Sequence, residues 1–317
     1  MISLDFEIHW GLRDQMGTGG PYRQNLLGVR EAVPRMLEMF AEFEVAATWA
    51  TVGFLFAASR DELERSSPAL KPSYVDRALS PYAEPLRLGE EDDPFHFAPS
   101  LIEQVRSTPR QELETHTFSH YYTLAPGQSA AEFAADLRSA REIAARRGVE
   151  FRSIVFPRNQ HNPAYDPMLL DAGLLCYRGL PRAHPYRGDS AAQRLVRLGD
   201  AYVDVAGEHT TPWAAVPQES GLCNVPGSFF LRPFVPRLRH ADGLRLRRMA
   251  RAIRGAALRR EIVHLWWHPH NFGRHTDENL AFLRRLLEVF AQYRESHGMR
   301  SMGMTGAALA ALRGEGR

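Results

Sequence analysis

Lysine is almost absent from this 317-residue chain: of 39 lysines and arginines, Lys71 alone is a lysine. Imine chemistry therefore has little room. Cysteine is nearly as scarce. Cys176 and Cys223 lie far apart, which argues against a disulfide framework. No apolar run approaches the roughly 20 residues a membrane-spanning helix requires. Met1 leads directly into an acid-bearing strand with no signal peptide ahead of it, so the expected location is cytoplasmic. A net charge of +2 points to no partner by itself, and no nucleic-acid partner is expected. Nor is there an internal repeat.

What is present is ordinary for a globular protein: 44% hydrophobic and 24% charged residues, in a chain long enough to bury one large α/β core. Strand-like and helix-like segments alternate. Ile2–Glu7, Glu44–Thr51, Gln111–Thr115, Phe151–Phe156, Leu174–Arg178 and Ile262–His268 read as strands. Helices are predicted near 29–43, 99–107, 129–147, 167–172, 237–260 and 276–297, with Ser129 and Glu132 forming a capping box. Met302-Gly303-Met304 reads as a last strand. The expectation is a single domain over 1–317 with two long insertions, about 58–98 and 180–235, lying over the site. Alternation of this kind implies a parallel sheet, closed or nearly closed, with its chemistry at the strand C-terminal ends.

The chemistry centres on His116-Thr-Phe-Ser-His120. Two imidazoles four residues apart sit on one side of a helical turn and can bind one metal ion, and the pair is expected to open a loop or a short helix at the strand's C-terminal edge. Among 13 histidines such a pair arises by chance, so it needs company. Asp5 and Glu7, spaced by one residue on a strand, project to one face. One carboxylate can complete a two-histidine site while the other stays free as a base. The strand ending Trp266-Trp267-His268-Pro269-His270 supplies a third such end. Two neutral imidazoles and a carboxylate leave an open position on a zinc-like ion, which acidifies bound water and polarises a carbonyl. Glu7, His116 and His120 are the proposed ligands, Asp5 the base, and His268 the acid for the leaving group. The two carboxylates could exchange roles, and His270 competes with His268.

These segments resemble the polysaccharide deacetylases, the NodB-homology carbohydrate esterases. Asp5-Phe6-Glu7 is similar to that family's first motif, His116-Thr-Phe-Ser-His120 to its second, and Phe156-Pro157-Arg158-Asn159-Gln160 stands where the third lies, departing from the usual Arg-x-Pro-Pro. His268 stands where the late catalytic histidine lies. The resemblance implies a distorted (β/α)7 barrel and a metal-dependent removal of acetyl groups from amino sugars. It also implies an arginine holding the base carboxylate, for which Arg158 is the candidate. Zn2+ is the expected ion, with Co2+, Ni2+ or Mn2+ as alternatives. Trp10, Asn159, Trp267 and His270 are the expected substrate-binding residues. Trp266 and Trp213 are further sugar-floor candidates, whereas His264 is expected to face away from the site. The expected substrate is an acetylated sugar, free or nucleotide- or lipid-linked, used in surface polysaccharide assembly. The alternatives are hydrolysis of a non-sugar amide and metal binding without turnover. The basic segment Arg237–Arg260 reads as a solvated helical face, with a weak membrane-surface association as its second reading. Oligomeric state is left open.

Overall fold

The computed structural model describes residues 1–181 and 190–315. Among them, eight strands form one sheet: β1 (Ile2–Phe6), β2 (Ala47–Thr51), β3 (Gln111–Thr115), β4 (Ser153–Ile154), β5 (Cys176–Tyr177), β6 (Cys223–Asn224), β7 (Phe229–Phe230) and β8 (Leu265–Trp267). Every pairing is parallel, in the order β6-β5-β4-β3-β2-β1-β8-β7.

The outermost strands in that order, β6 and β7, are neighbours in sequence. Five residue steps from Asn224 to Phe229 span at most about 18 Å. A flat sheet of this many strands would be roughly 34 Å wide, so the sheet must curl on itself. The hydrogen bonds show how. Val225 and Gly227 donate to the Tyr177 and Gly179 carbonyls, 2.9 Å each, whereas Ser228 and Leu231 donate to His264 (2.7 Å) and Trp266 (2.8 Å). Residues 223–231 thus act as one interrupted strand that joins β5 to β8, leaving seven positions around a distorted (β/α) barrel. The interruption falls at Pro226, which has no N–H to give. It continues at Gly227, where a Cβ would come within 2.8 Å of the Trp266 ring.

Outward-facing Leu4, Phe6, Trp49, Leu113, Ile154 and Trp267 form the core with the surrounding helices. Those are α1 (Arg23–Glu42), α2 (Arg60–Ser66), α3 (Pro99–Ser107), α4 (Ala130–Ala145), α5 (Asp166–Asp171), α6 (Ala191–Asp200), α7 (Asp242–Arg259) and α8 (Thr276–His297). Ser129 and Glu132 close the expected capping box on α4. Inside the barrel, Ala50, Val155, Cys176, Cys223 and Val225 meet Met304 and Ala308 of a last helix, α9 (Met304–Leu312). Met302-Gly303-Met304 is therefore not a strand. The Ala-rich stretch that follows favours helix, and Met304 N–H caps the floor by donating to Thr48 Oγ1 at 2.8 Å. The two cysteines stand in register across β5 and β6 as free, buried thiols.

The two inserted segments carry structure of their own. Segment 58–98 carries α2 and two short 3-10 turns, while 180–235 contains α6, β6 and β7, and its residues 182–189 lie outside the described ones. The basic segment is only partly a solvated face. Arg245 and Arg248 are buried, bound to Asp242 and Asp200, while Arg247, Arg251 and Arg254 are exposed at helical spacing.

Candidate metal centre

Each strand end delivers its residues through a local device. Asp5 leaves β1 toward the barrel axis, and Glu7 follows beyond the strand, just before the left-handed Ile8 (φ 48°). Glycine at position 11 leaves room for that side chain, because a Cβ there would lie 2.0 Å from the Glu7 carboxyl and displace it. His116 continues β3, its N–H donating to Thr51 O at 2.9 Å. The pair does not sit on a helical turn. Residues 116–120 form a loop, with Thr117 (φ 65°) and His120 (φ 56°) left-handed. Buried Asp136 of α4 shapes it, accepting from Phe118 N–H (2.8 Å), Ser119 N–H (3.1 Å) and the Ser119 hydroxyl. After β8 the chain turns through His268 and His270. There α1 crosses so closely that a Cβ on Gly28 would meet the Gly273 carbonyl at 1.8 Å.

His116 shows what this arrangement requires. Its Nδ1 lies 2.7 Å from the Val155 carbonyl. A carbonyl only accepts, so Nδ1 carries the proton and, in the neutral ring, Nε2 presents a lone pair. That lone pair faces Glu7 Oε2 at 3.2 Å, and His120 Nε2 lies 3.0 Å from the same oxygen. The His116 lone pair opposed to a carboxylate calls for a cation between them. Tetrahedral zinc, with bonds of about 2.0–2.2 Å, separates its ligand atoms by about 3.3–3.5 Å, close to what is seen. His120 Nδ1 is buried with no hydrogen-bond partner. Glu7, His116 and His120 are all buried. Burial would raise the Glu7 carboxyl, but with no cation between them the charge of His268 and N–H donation from His116 and His120 outweigh it and hold it well below the carboxylate range. Burial pushes His120 down to about 4, against the pull of Glu7. The donor set fits a divalent ion at neutral pH.

His268 and His270 form a second triad on the same carboxylate. His268 Nε2 lies 3.4 Å from Glu7 Oε1 and 3.8 Å from Asp5 Oδ2, and its side chain, 24% exposed, is the most accessible of the cluster. His270 is buried, stacked on His268 with centroids 5.2 Å apart, and burial pushes it down to about 3. That position suits a ligand or a ring support better than the expected substrate contact.

The arginine that holds Asp5 is Arg178, not Arg158. Its Nη1 and Nη2 grip the two carboxylate oxygens at 2.5 and 2.7 Å, and Nη1 also donates to Ser3 Oγ at 3.0 Å. Burial would raise the Asp5 carboxyl, yet the Arg178 guanidinium outweighs that and keeps it low. Arg158, on a left-handed turn, pairs with Asp14 and lies 4.4 Å over the Tyr122 ring. The missed signal was the arginine ending the apolar run Leu174–Tyr177, where period-2 alternation turns Cys176 and Arg178 inward together. Asn159 serves Arg178, its Oδ1 accepting from Nε (3.2 Å) and Nη2 (3.0 Å).

Two expected sugar contacts belong to the core. Trp10 and Trp267 have no exposed surface. Trp10 packs on Phe54 and His96, and Trp267 on Phe272 and Phe40. Alternation turns Trp266 the other way, where it is half-buried beneath Arg178 (4.2 Å) and beside Phe230 and His268. His264 also points inward, bonded to Ser3 Oγ at 2.8 Å, one layer below Asp5.

No protein-family model matches the chain, and no curated protein matches it in sequence. Solved structures share the fold. A Mycobacterium smegmatis protein assigned as a polysaccharide deacetylase has a TM-score of 0.59 at 18% identity, over 99% of this chain and 91% of its own. A GH57-type branching enzyme from Pyrococcus horikoshii has 0.55 at 10%, over 96% and 68%. A Pseudomonas aeruginosa protein assigned as a polysaccharide deacetylase has 0.52 at 11%, over 99% and 85%.

Proposed function

We propose that the chain is a metal-dependent deacetylase that removes an acetyl group from an N- or O-acetylated sugar. The observation that carries this reading is the Glu7 carboxylate facing the Nε2 atoms of His116 and His120 beside an Asp5 held ionised by Arg178. Glu7, His116 and His120 would hold the ion, zinc by donor type. Such an ion acidifies water and polarises the acyl oxygen. Asp5 takes the proton of the attacking water as the new C–O bond forms. His268 protonates the departing nitrogen or oxygen as the acyl bond breaks, and acetate is left. His270 braces the His268 ring. Trp266 and Phe230, beside His268, offer apolar faces for a sugar ring.

The fold alone does not choose this chemistry, since a branching enzyme has it too. Glycosidic cleavage needs one of two carboxyl groups kept protonated as the acid. Here Arg178 and the imidazoles hold both Asp5 and Glu7 below the usual range, which favours acyl hydrolysis. Acetate release from a panel of acetylated monosaccharides, nucleotide- and lipid-linked sugars and non-sugar amides tests the proposal, with and without a chelator. Turnover of an acetylated sugar, abolished by the chelator and restored by zinc, is expected. Chelator-resistant turnover, or turnover of non-sugar amides alone, would overturn it.

A further inference from the structure

We propose that His9, Glu84 and His96 bind a second divalent ion, of the zinc class, that staples segment 58–98 to the loop after β1. The proposal stands apart from the Glu7 site, with which it shares no ligand.

The hydrogen bonds assign both rings. His9 Nε2 lies 2.9 Å from the Met16 carbonyl, so that nitrogen carries the proton. His96 Nδ1 lies 2.8 and 2.9 Å from the two oxygens of Asp93, so that nitrogen carries its proton as well. In the neutral rings the remaining nitrogens, His9 Nδ1 and His96 Nε2, are both lone pairs, yet they face each other at 2.9 Å. Something positive must lie between them. Glu84 Oε1 approaches the same point, 3.9 Å from His9 Nδ1 and 3.7 Å from His96 Nε2. These separations bracket the roughly 3.3–3.5 Å between ligands of a tetrahedral zinc ion.

The surroundings have the form a metal site takes. A metal-bound imidazole donates its other N–H to a carboxylate or a backbone carbonyl. His96 does the first, through Asp93, and His9 the second, through Met16. Both rings and Asp93 are buried, while the Glu84 side chain is 25% exposed and leaves a side open for a fourth, water ligand. Two carboxylates and two neutral imidazoles bring a local charge that a dication balances. Arg13 is felt at both Glu84 and His9 but does not bond to Glu84, its guanidinium donating to the Ala78 and Leu79 carbonyls. The site ties the loop after β1, at His9, to segment 58–98 at Glu84 and His96, which gives that segment an anchor beyond the backbone bond from His9 N–H to the Phe95 carbonyl.

Zinc content after dialysis, and calorimetric titration of the metal-stripped full chain with zinc alone, test the proposal. Two equivalents are expected for the unaltered chain, and one for Glu84→Gln, for His96→Gln, and for His116→Ala with His120→Ala. Asp93→Asn, which spares the ligands, should weaken the second equivalent by about 10–100-fold. In the His116→Ala, His120→Ala chain zinc should still raise the Tm, and adding Glu84→Gln should remove that rise. If His96→Gln fails to fold, the partly exposed Glu84→Gln carries the test. A zinc content that neither Glu84→Gln nor His96→Gln lowers would mean a shared proton fills the gap, and the proposal falls. If the Glu7 site is the mistaken one, the unaltered chain binds a single equivalent that Glu84→Gln removes and the His116, His120 variant keeps.

Discussion

The two ends of the barrel treat buried carboxylates in opposite ways. At the mouth, Asp5 and Glu7 are held low by Arg178 and by imidazoles. At the floor, burial raises Glu112, and pushes Glu114 up to about 8. Their partners there are neutral. Glu112 accepts from Thr48 Oγ1 at 3.0 Å, and Glu114 meets Thr305 Oγ1 at 2.8 Å and the N–H groups of Arg152 and Ser153 at 2.7 Å. One strand, β3, carries both conditions, with Glu112 and Glu114 leading into His116. Burial is common to both ends, so the partners decide which acids stay charged. The mouth keeps its acids charged, as the proposed function requires; the floor neutralises them among hydroxyls and N–H groups.

The largest effect expected from breaking this contrast is at the ligands. His116→Ala and His120→Ala should each remove the ion bound by Glu7 and abolish turnover, read by metal content and acetate release. Retention of that ion in both variants would take the site out of account.

Next come the two carboxylates, which should separate. Asp5→Asn should keep the ion and lose about 10²–10⁴-fold in kcat, whereas Glu7→Gln should weaken metal binding first. The reverse pattern in metal analysis would exchange their roles.

The two arginines sharpen the comparison further. Arg178→Met leaves Asp5 buried and unpaired, at a cost of about 3–5 kcal/mol. It should raise the Asp5 pKa, so the acid limb of the pH–rate profile moves to higher pH. Arg158→Ala, which removes a partly exposed pair with Asp14, should cost less than about 1 kcal/mol and leave that limb in place. Equal shifts in both variants would return Arg158 to the role first given to it.

The remaining effect lies at the floor. Glu114 binds a proton in the folded chain up to about pH 8 but near its ordinary range when unfolded. Its contribution is therefore fully present below about pH 4.5 and is lost as pH rises toward 8, by up to about 1.4 kcal/mol per unit. Glu114→Gln keeps the neutral hydrogen bonds, so urea unfolding should show a shallower loss of stability between pH 5 and pH 8. An unchanged slope would mean that Glu114 is already ionised.

Much was legible beforehand where the signal is local. Period-2 alternation placed Asp5 inward, the His116–His120 spacing marked the pair, and Ser129 with Glu132 marked the start of α4. Helical spacing located α3 and α8 to the residue. The expected last strand failed because a three-residue run cannot outweigh the Ala-rich sequence after it. Of the loop or short helix expected at His116, the loop forms because Asp136, sixteen residues past His120, accepts its N–H groups and hydroxyl.

The sequence by itself determined the strand–helix alternation of a parallel, nearly closed sheet, the strand ends that bear the acids and histidines, and the residue types of the candidate site. Period, propensity and spacing act within a few residues, so they are written locally and persist where no distant partner competes. Only the tertiary structure decided which arginine holds Asp5, since Arg178 lies 173 positions away and reaches it only when the barrel closes. The same closure sent Trp267 outward and Trp266 inward, and brought His9 against His96 across 87 positions. Such pairings depend on where the chain returns in space, and no short window of residues records that.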